Sequence, residues 1–330
     1  MTASHDDLVL VTGAGGFIGG HLVGRLLAEG YRRVRAVDIK PADAWFQLHS
    51  RAENKSLDLR LKESCLRATQ GVREIYHLAA NMGGMGFIET HKAECMLSVL
   101  IDTHLLLAAR EHRCDRVFYA STACVYAAGK QDRADLPPLR EGDAYPAEPE
   151  DGYGWQKLFG ERLCRHFNED FGVTTRVARF HAIHGEHGTF EGGREKAPAA
   201  ICRKVAEAKL TGKKTIEIWG DGQQTRSFLY IDEAIEGTRL LMDSSVEEPL
   251  NLGSTEMVTI DRLVDMVEEI AGVRLERHYD TRAPQGVRGR CSDNTRIRQE
   301  LGWAPSLSLQ VGLERTYRWV YNQVASRESV

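Results

Sequence analysis

The chain has 330 residues, 27% of them charged and 42% hydrophobic, with a formal net charge of −4. That balance is ordinary for a soluble globular protein and argues against a nucleic-acid binder that works by bulk electrostatics. No apolar run approaches a membrane span and no signal-type apolar segment precedes the first strand, so a cytoplasmic protein with neither nucleic-acid nor membrane partners is expected.

In chain order, the apolar run LVLVTG (8–13) predicts a buried strand. A helical pattern follows, with Ile18, Leu22, Leu26 and Leu27 on one face and Gly30 as its stop. Further strands are predicted over 33–40, 74–80, 116–122 and 174–185, alternating with amphipathic helical segments. Such alternation means βαβ units, hence an α/β protein with a Rossmann-type doubly wound parallel sheet. After residue 185 the texture changes to glycines and charges, then a helix over 197–210 and a strand running into a turn over 215–222. Residues 259–272 read as a helix with Thr259 as N-cap and Gly272 as its end. A last amphipathic helix covers about 308–325. The expected division is a dinucleotide-binding domain over 1–185 and a smaller, discontinuous α/β substrate lobe, mainly 186–330, with segments near 215–260 returning to the first domain. The seven cysteines are scattered, odd in number and without a CxxC pair, so no disulfide framework or structural zinc site is suggested.

The first chemistry-bearing motif is VTGAGGFIGG (11–20), which spaces Gly13, Gly16 and Gly19 as GxxGxxG after a strand and ahead of a helix. Glycines there allow a tight turn, close approach of a pyrophosphate and close helix–strand packing, and the helix opened by Phe17 and Ile18 offers free N–H groups to the phosphates. Asp38 ends the next strand, where a carboxylate bonds the adenine ribose hydroxyls and repels a 2′-phosphate, favouring NAD over NADP. Asp58, in SLDLR, is placed near the adenine as a weaker candidate.

Tyr153 and Lys157, in YGWQK, stand four apart on a predicted helix and share a face. A nearby ammonium is expected to lower the tyrosine's pKa, so that Tyr153 accepts a proton from a substrate hydroxyl as hydride leaves the same carbon. Thr122, at the end of the 116–122 strand, is placed to bond the same oxygen. Cys124 follows two residues later, and a thiol there either fills a small apolar hole or handles protons.

These residues together resemble the extended short-chain dehydrogenase/reductase family: the three glycines, Asp38, HLAA (77–80, with Leu78, Ala79 and Ala80 toward the cofactor), Thr122 and the Tyr153/Lys157 pair. WGDGQQTRSFLYIDE (219–233) extends the resemblance over the substrate lobe. It implies bound NAD, a nucleotide-diphospho-sugar substrate and oxidation of a sugar hydroxyl to a ketone. A C4 ketone acidifies the hydrogens at C3 and C5, whose movement needs an acid and a base on opposite ring faces. The 4,6-dehydratases carry Asp-Glu directly after the threonine, where this chain has Ala123 and Cys124.

NMGGMGF (81–87), STACVY (121–126), GGREKAPAA (192–200) and GVRGRCSDN (286–294) further resemble the GDP-mannose 3,5-epimerase family. That resemblance implies an epimerase inverting C3 and/or C5 of a GDP-hexose, with Cys124 and Lys196 as the acid–base pair. It also implies substrate contacts from Gly83, Gly84, Met85, Thr122, His181, Glu195, Ala197, Lys204, Gln224, Arg226 and either Arg288 or Arg290. A homodimer joined through helices near 92–113 and 152–171 is implied as well. Two stretches depart from the family: RFHAIHG (179–185) puts Ala182 and His184 in place of the asparagine and tyrosine of RFHNIYG, and AAGKQ after Tyr126 differs from the usual Pro-Glu-Phe. Such changes suit an altered sugar or a single-site epimerase. The competing readings are a 4-epimerase or 4-reductase of the same fold and a non-catalytic NAD-binding regulator. His181, His184 and His187 share no rigid face, so no metal site is expected.

Overall fold

A computed structural model describes residues 3–328. The first half of the chain runs β1 (Leu8–Thr12), α1 (Phe17–Ala28), β2 (Arg33–Asp38), β3 (Glu53–Ser56), α2 (Lys62–Thr69), β4 (Glu74–His77), α3 (Met85–Thr90), α4 (Lys92–Met96), α5 (Val99–Glu111), β5 (Arg116–Thr122), α6 (Asp151–Phe171) and β6 (Thr174–Phe180). It continues with β7 (Ile183–His184), α7 (Ala197–Thr211), β8 (Thr215–Trp219), β9 (Thr225–Ser227), β10 (Leu229–Tyr230), α8 (Ile231–Asp243), β11 (Leu250–Leu252) and β12 (Met257–Thr259). The last elements are α9 (Ile260–Ala271), β13 (Glu276–Asp280), β14 (Gly289–Arg290), α10 (Thr295–Leu301) and α11 (Leu309–Glu328).

Seven parallel strands form the main sheet in the order β11-β6-β5-β4-β1-β2-β3. The buried run of β1 serves both faces at once. Leu8 and Leu10 join the core beneath α2, α5 and α6, while Val9 and Val11 join the one beneath α1 and α8. A strand covered on both sides has no polar face to display, which is why its sequence reads as continuous apolar residues.

The second lobe has its own core, built by α7, α9 and α11. Its capped helix is as read from the sequence: Thr259 Oγ1 accepts from the Arg262 N–H at 3.0 Å, and Gly272 ends α9 at φ +67°. The segment expected to return to the first domain divides. α8 packs beside α1, and β11 extends the main sheet, but β8 pairs with β13 in a separate two-stranded sheet. The alternating burial of β8 explains this: Ile216 and Ile218 face the second core while Glu217 and Trp219 face out. The predicted strand over 174–185 is broken at Ala182, whose φ is +20°, into β6 and β7.

Candidate active site

The catalytic candidates collect at the carboxyl ends of β1, β2, β4 and β5, where a doubly wound sheet opens a crevice. The glycine loop leaves β1 and enters α1 after Gly16, and no side chain caps the first N–H groups of α1. Those donors and the positive end of the helix dipole suit a pyrophosphate. A Cβ at Gly19 would lie 2.2 Å from the Gly13 carbonyl oxygen, so only glycine lets the helix sit on its own loop. Asp38 accepts hydrogen bonds from the backbone N–H groups of Gly15 and Lys40, both at 3.0 Å. Its carboxylate is therefore fixed against the loop, as ribose recognition needs. The N–H groups of Leu78 and Ala79 both donate to Thr12 Oγ1 at 3.2 Å, and partly buried Ala80 follows them. Phe17 borders Gly185 and Gly188, and Ile18 packs on the core. An uncapped helix start, a cradle that a single Cβ would fill and a fixed carboxylate together fit NAD. Asp58 stands apart in one respect: Arg60 clasps its carboxylate at 2.7 to 3.1 Å, and that hydrogen bonding lowers its pKa.

One consequence is measurable. Gly19→Ala forces the loop away from the helix, a strain of about 1–3 kcal/mol. Expressed in the bound state, this weakens NAD about 10- to 100-fold, read by titration calorimetry. Unchanged affinity would remove the loop from the cofactor site.

Helix α6 places Tyr153 and Lys157 on its buried face, 7% and 2% exposed. The helix is pinned to the sheet by a buried ion pair, Arg179 to Glu161 at 2.7 Å, and by Ser121 donating to Glu161 at 2.5 Å. Removing one partner of such a pair costs about 3–5 kcal/mol, so the helix has little freedom to slide over β5. Thr122, at the end of β5, stands near enough to Tyr153 to favour its ionised form. The electrostatics differ from the sequence expectation. Burial, then the neighbouring Cys124, pushes the Tyr153 phenol up, with Thr122 opposing. Burial also pulls the Lys157 ammonium down, opposed chiefly by Asp102. Both groups have lost water, which disfavours the charged form of each.

Cys124 lies between this pair and a set of cations. It packs with Phe87, Cys95 and Tyr153. Arg290 Nη1 donates to its sulfur at 3.7 Å, and the sulfur acts electrostatically on Lys196 and Arg226. Lys196, at the N-cap of α7, has its ammonium pKa pulled down by burial, with Cys124 opposing. Burial likewise brings Arg226 down to about 10. The Lys196 loop reaches Cys124 because Gly84 has no side chain: a Cβ there would lie 2.1 Å from the Glu195 carbonyl oxygen, and the Gly84 N–H donates to Arg194 O at 2.9 Å. Gly83 packs beside Arg194, and Met85 lies against Gly286, drawing in the 286–290 segment.

The remaining predicted contacts separate into groups. Glu195 Oε2 and Gln224 Oε1 are buried without a protein partner, as substrate-facing atoms would be. Ala197 opens α7, and Lys204 donates to Glu217 O at 2.7 Å near the Trp219 ring. The two arginines of the GVRGR run point in different directions. Arg288 pairs outward with Asp221 at 2.8 Å, whereas Arg290 turns inward to Cys124, Gln131 and Glu150. His181 is packed against Gly253 with Nε2 on Asn251 at 2.9 Å; only its Nδ1 lacks a partner, and burial lowers it to about 4. His184 contacts Thr316 and His187 lies tilted beside the Trp319 ring, so the three histidines have separate surroundings.

Glu150 and Gln131, which hold Arg290, were not identified from the sequence. Glu150 immediately precedes the helix that carries Tyr153, and its N–H donates to the Cys124 carbonyl at 2.9 Å. Its place before that helix was the available signal.

Comparison with known proteins gives this geometry its setting. Residues 9–253 match the model of the NAD dependent epimerase/dehydratase family. The chain is 45% identical over 97% of its length to a GDP-mannose 3,5-epimerase of Arabidopsis thaliana, covering 84% of that protein. It is 44% identical to GDP-mannose 3,5-epimerase 1 of Oryza sativa subsp. japonica, over 97% of this chain and 83% of that one. Among solved structures, UDP-glucose 4-epimerase of Thermotoga maritima superposes with a TM-score of 0.85 at 23% identity, covering 96% of this chain and 99% of that one. A Bacillus cereus UDP-glucuronic acid 4-epimerase, solved with its substrate and NAD, gives 0.80 at 26% identity over 96% and 99%. The chain belongs to the NAD dependent epimerase/dehydratase family.

Proposed function

We propose that this protein is an NAD-dependent isomerase that epimerises the hexose of GDP-mannose at C3, C5 or both through a C4 ketone. The observation that carries the reading is the position of Cys124, beside Tyr153 on one side and among Lys196, Arg226 and Arg290 on the other. The likeness to the plant GDP-mannose 3,5-epimerases supplies the substrate.

The glycine loop and Asp38 would hold NAD, which when bound would accept the C4 hydride and give it back once the ring proton has been exchanged. Tyr153 takes the C4 hydroxyl proton, and Thr122 holds that oxygen in line. With C4 a carbonyl, one of Cys124 and Lys196 removes a proton from the adjacent carbon, and the electron pair moves into the enolate. The other returns a proton from the opposite face, which inverts the centre. Arg226 and Arg290 supply countercharge for a sulfur that has given up its proton. Burial lowers the Lys196 pKa and so makes its neutral amine available nearer to neutrality.

The test is incubation of the holoenzyme with GDP-mannose in D₂O. Deuterium is expected at C3 or C5, read by NMR, with no net consumption of NAD. Retention of both ring protons with inversion at C4 alone would replace this reading with a 4-epimerase.

We further propose a cytoplasmic homodimer. Among the described residues no helix is long and apolar enough to cross a membrane, and all seven cysteines are free. Met96 on α4, Leu97 just after it, Leu100 on α5, and Trp155 and Phe159 on α6 are each 39–50% exposed, an apolar surface that a second copy would cover. Trp155→Glu is expected to give monomers in light scattering, and an unchanged mass would exclude this face.

A further inference from the structure

A buried polar network beneath Lys157 has no part in the chemistry above. Asp102, on α5, is fully buried and accepts three hydrogen bonds. His77 Nε2 approaches Oδ1 at 2.8 Å, while the Tyr119 hydroxyl and Gln156 Nε2 donate to Oδ2 at 2.9 and 2.6 Å. The hydrogen positions follow from counting. Thr12 Oγ1 accepts from two backbone N–H groups, so its own hydrogen goes to His77 Nδ1, at 3.0 Å. His77 Nδ1 is then an acceptor and Nε2 carries the proton that it donates to Asp102. The Asp102 carboxylate is the acceptor on which the network converges.

Lys157 Nζ lies 4.6 Å from the centre of the Tyr119 ring, whose hydroxyl is bonded to Asp102. Helix α6 comes this close because of Gly160, one turn beyond Lys157. A Cβ there would lie 2.0 Å from the Tyr119 hydroxyl and 2.8 Å from Asp102 Oδ2. The other titratable groups that act on Lys157 are Glu161, whose charge Arg179 takes, and the Cys164 thiol. Asp102 is therefore the countercharge left for the lysine.

We propose that Asp102 is a positioning residue that keeps Lys157 charged in its buried site and, through His77 and Thr12, ties that lysine to the glycine loop. The inference rests on Lys157 serving Tyr153 in the reaction proposed above. Its test is a comparison of wild type with Asp102→Asn, both loaded with NAD. The Lys157 ε-carbon is titrated by ¹³C NMR, assigned with Lys157→Arg. The midpoint is expected to fall by about one to two pH units when the opposite charge is removed, and the alkaline limb of single-turnover C4 oxidation to fall with it. An identical midpoint, with only the thermal stability lowered, would make Asp102 a structural brace and overturn the proposal. Should Asp102→Asn not fold, the wild-type titration decides: Lys157 is expected to be charged at the pH where C4 oxidation is fastest, and a neutral amine there would overturn the proposal. The NMR titration needs only protein and NAD, so it stays readable if GDP-mannose proves not to be the substrate.

Discussion

Cys124→Ala is expected to reduce deuterium uptake at C3 and C5 by about 10²- to 10⁴-fold, the usual contribution of a positioned acid or base. C4 oxidation should survive, because Tyr153, Thr122 and Lys157 stand on β5 and α6 and do not depend on the sulfur for their positions. The thiol is small and 7% exposed, so its loss leaves a cavity of about one methyl-sized group and a modest stability cost, about 1 kcal/mol. The variant thus separates two steps that share a site. A transient ketone without ring-proton exchange, trapped in D₂O and read by mass spectrometry, is the expected signature. Wild-type exchange in Cys124→Ala would return the thiol to the bland role of filling an apolar hole, and the proposed acid–base pair would fall with it.

Tyr153→Phe acts one step earlier. The ring remains in its place against Phe87, Cys95 and Cys124, so folding and NAD binding should change little. The lost hydroxyl removes the group that takes the C4 proton, and the rate of C4 oxidation should drop by about 10²- to 10⁴-fold. Ring-proton exchange must drop in parallel, since no ketone forms to acidify C3 or C5. That coupling distinguishes the two variants: one loses exchange alone, the other loses both. Single-turnover absorbance at the reduced-cofactor band reads the first step, and NMR in D₂O reads the second. If Tyr153→Phe oxidised C4 at the wild-type rate, another base would have to be found in the crevice.

The local parts of this protein were legible in its sequence. An apolar run followed by GxxGxxG needs only neighbouring residues to make a strand, a turn and a helix start, and the run 8–13 does so. Thr259 and Gly272 likewise bound α9 by local hydrogen bonding and one left-handed backbone angle. Tyr153 and Lys157 share a face because helical period alone puts residues four apart together. Resemblance then named Cys124 and Lys196 as partners, although they lie 72 positions apart.

Tertiary structure decided what depends on contacts between distant segments. Arg288 and Arg290 are equivalent in the GVRGR run; Asp221 draws one outward, and Gln131 and Glu150 hold the other against Cys124. β8 looked like part of the first domain until β13 supplied its pairing partner. Burial reversed the expected shift of Tyr153, since a spacing of four residues says that two groups are near but not how much water each has lost. Asp102 is one of several polar residues along α5, and only the closure of β4, β5 and α6 around it makes it the centre of a network. Backbone geometry and helical period are set by residues a few positions apart, whereas desolvation and pairing of charges depend on everything folded around them.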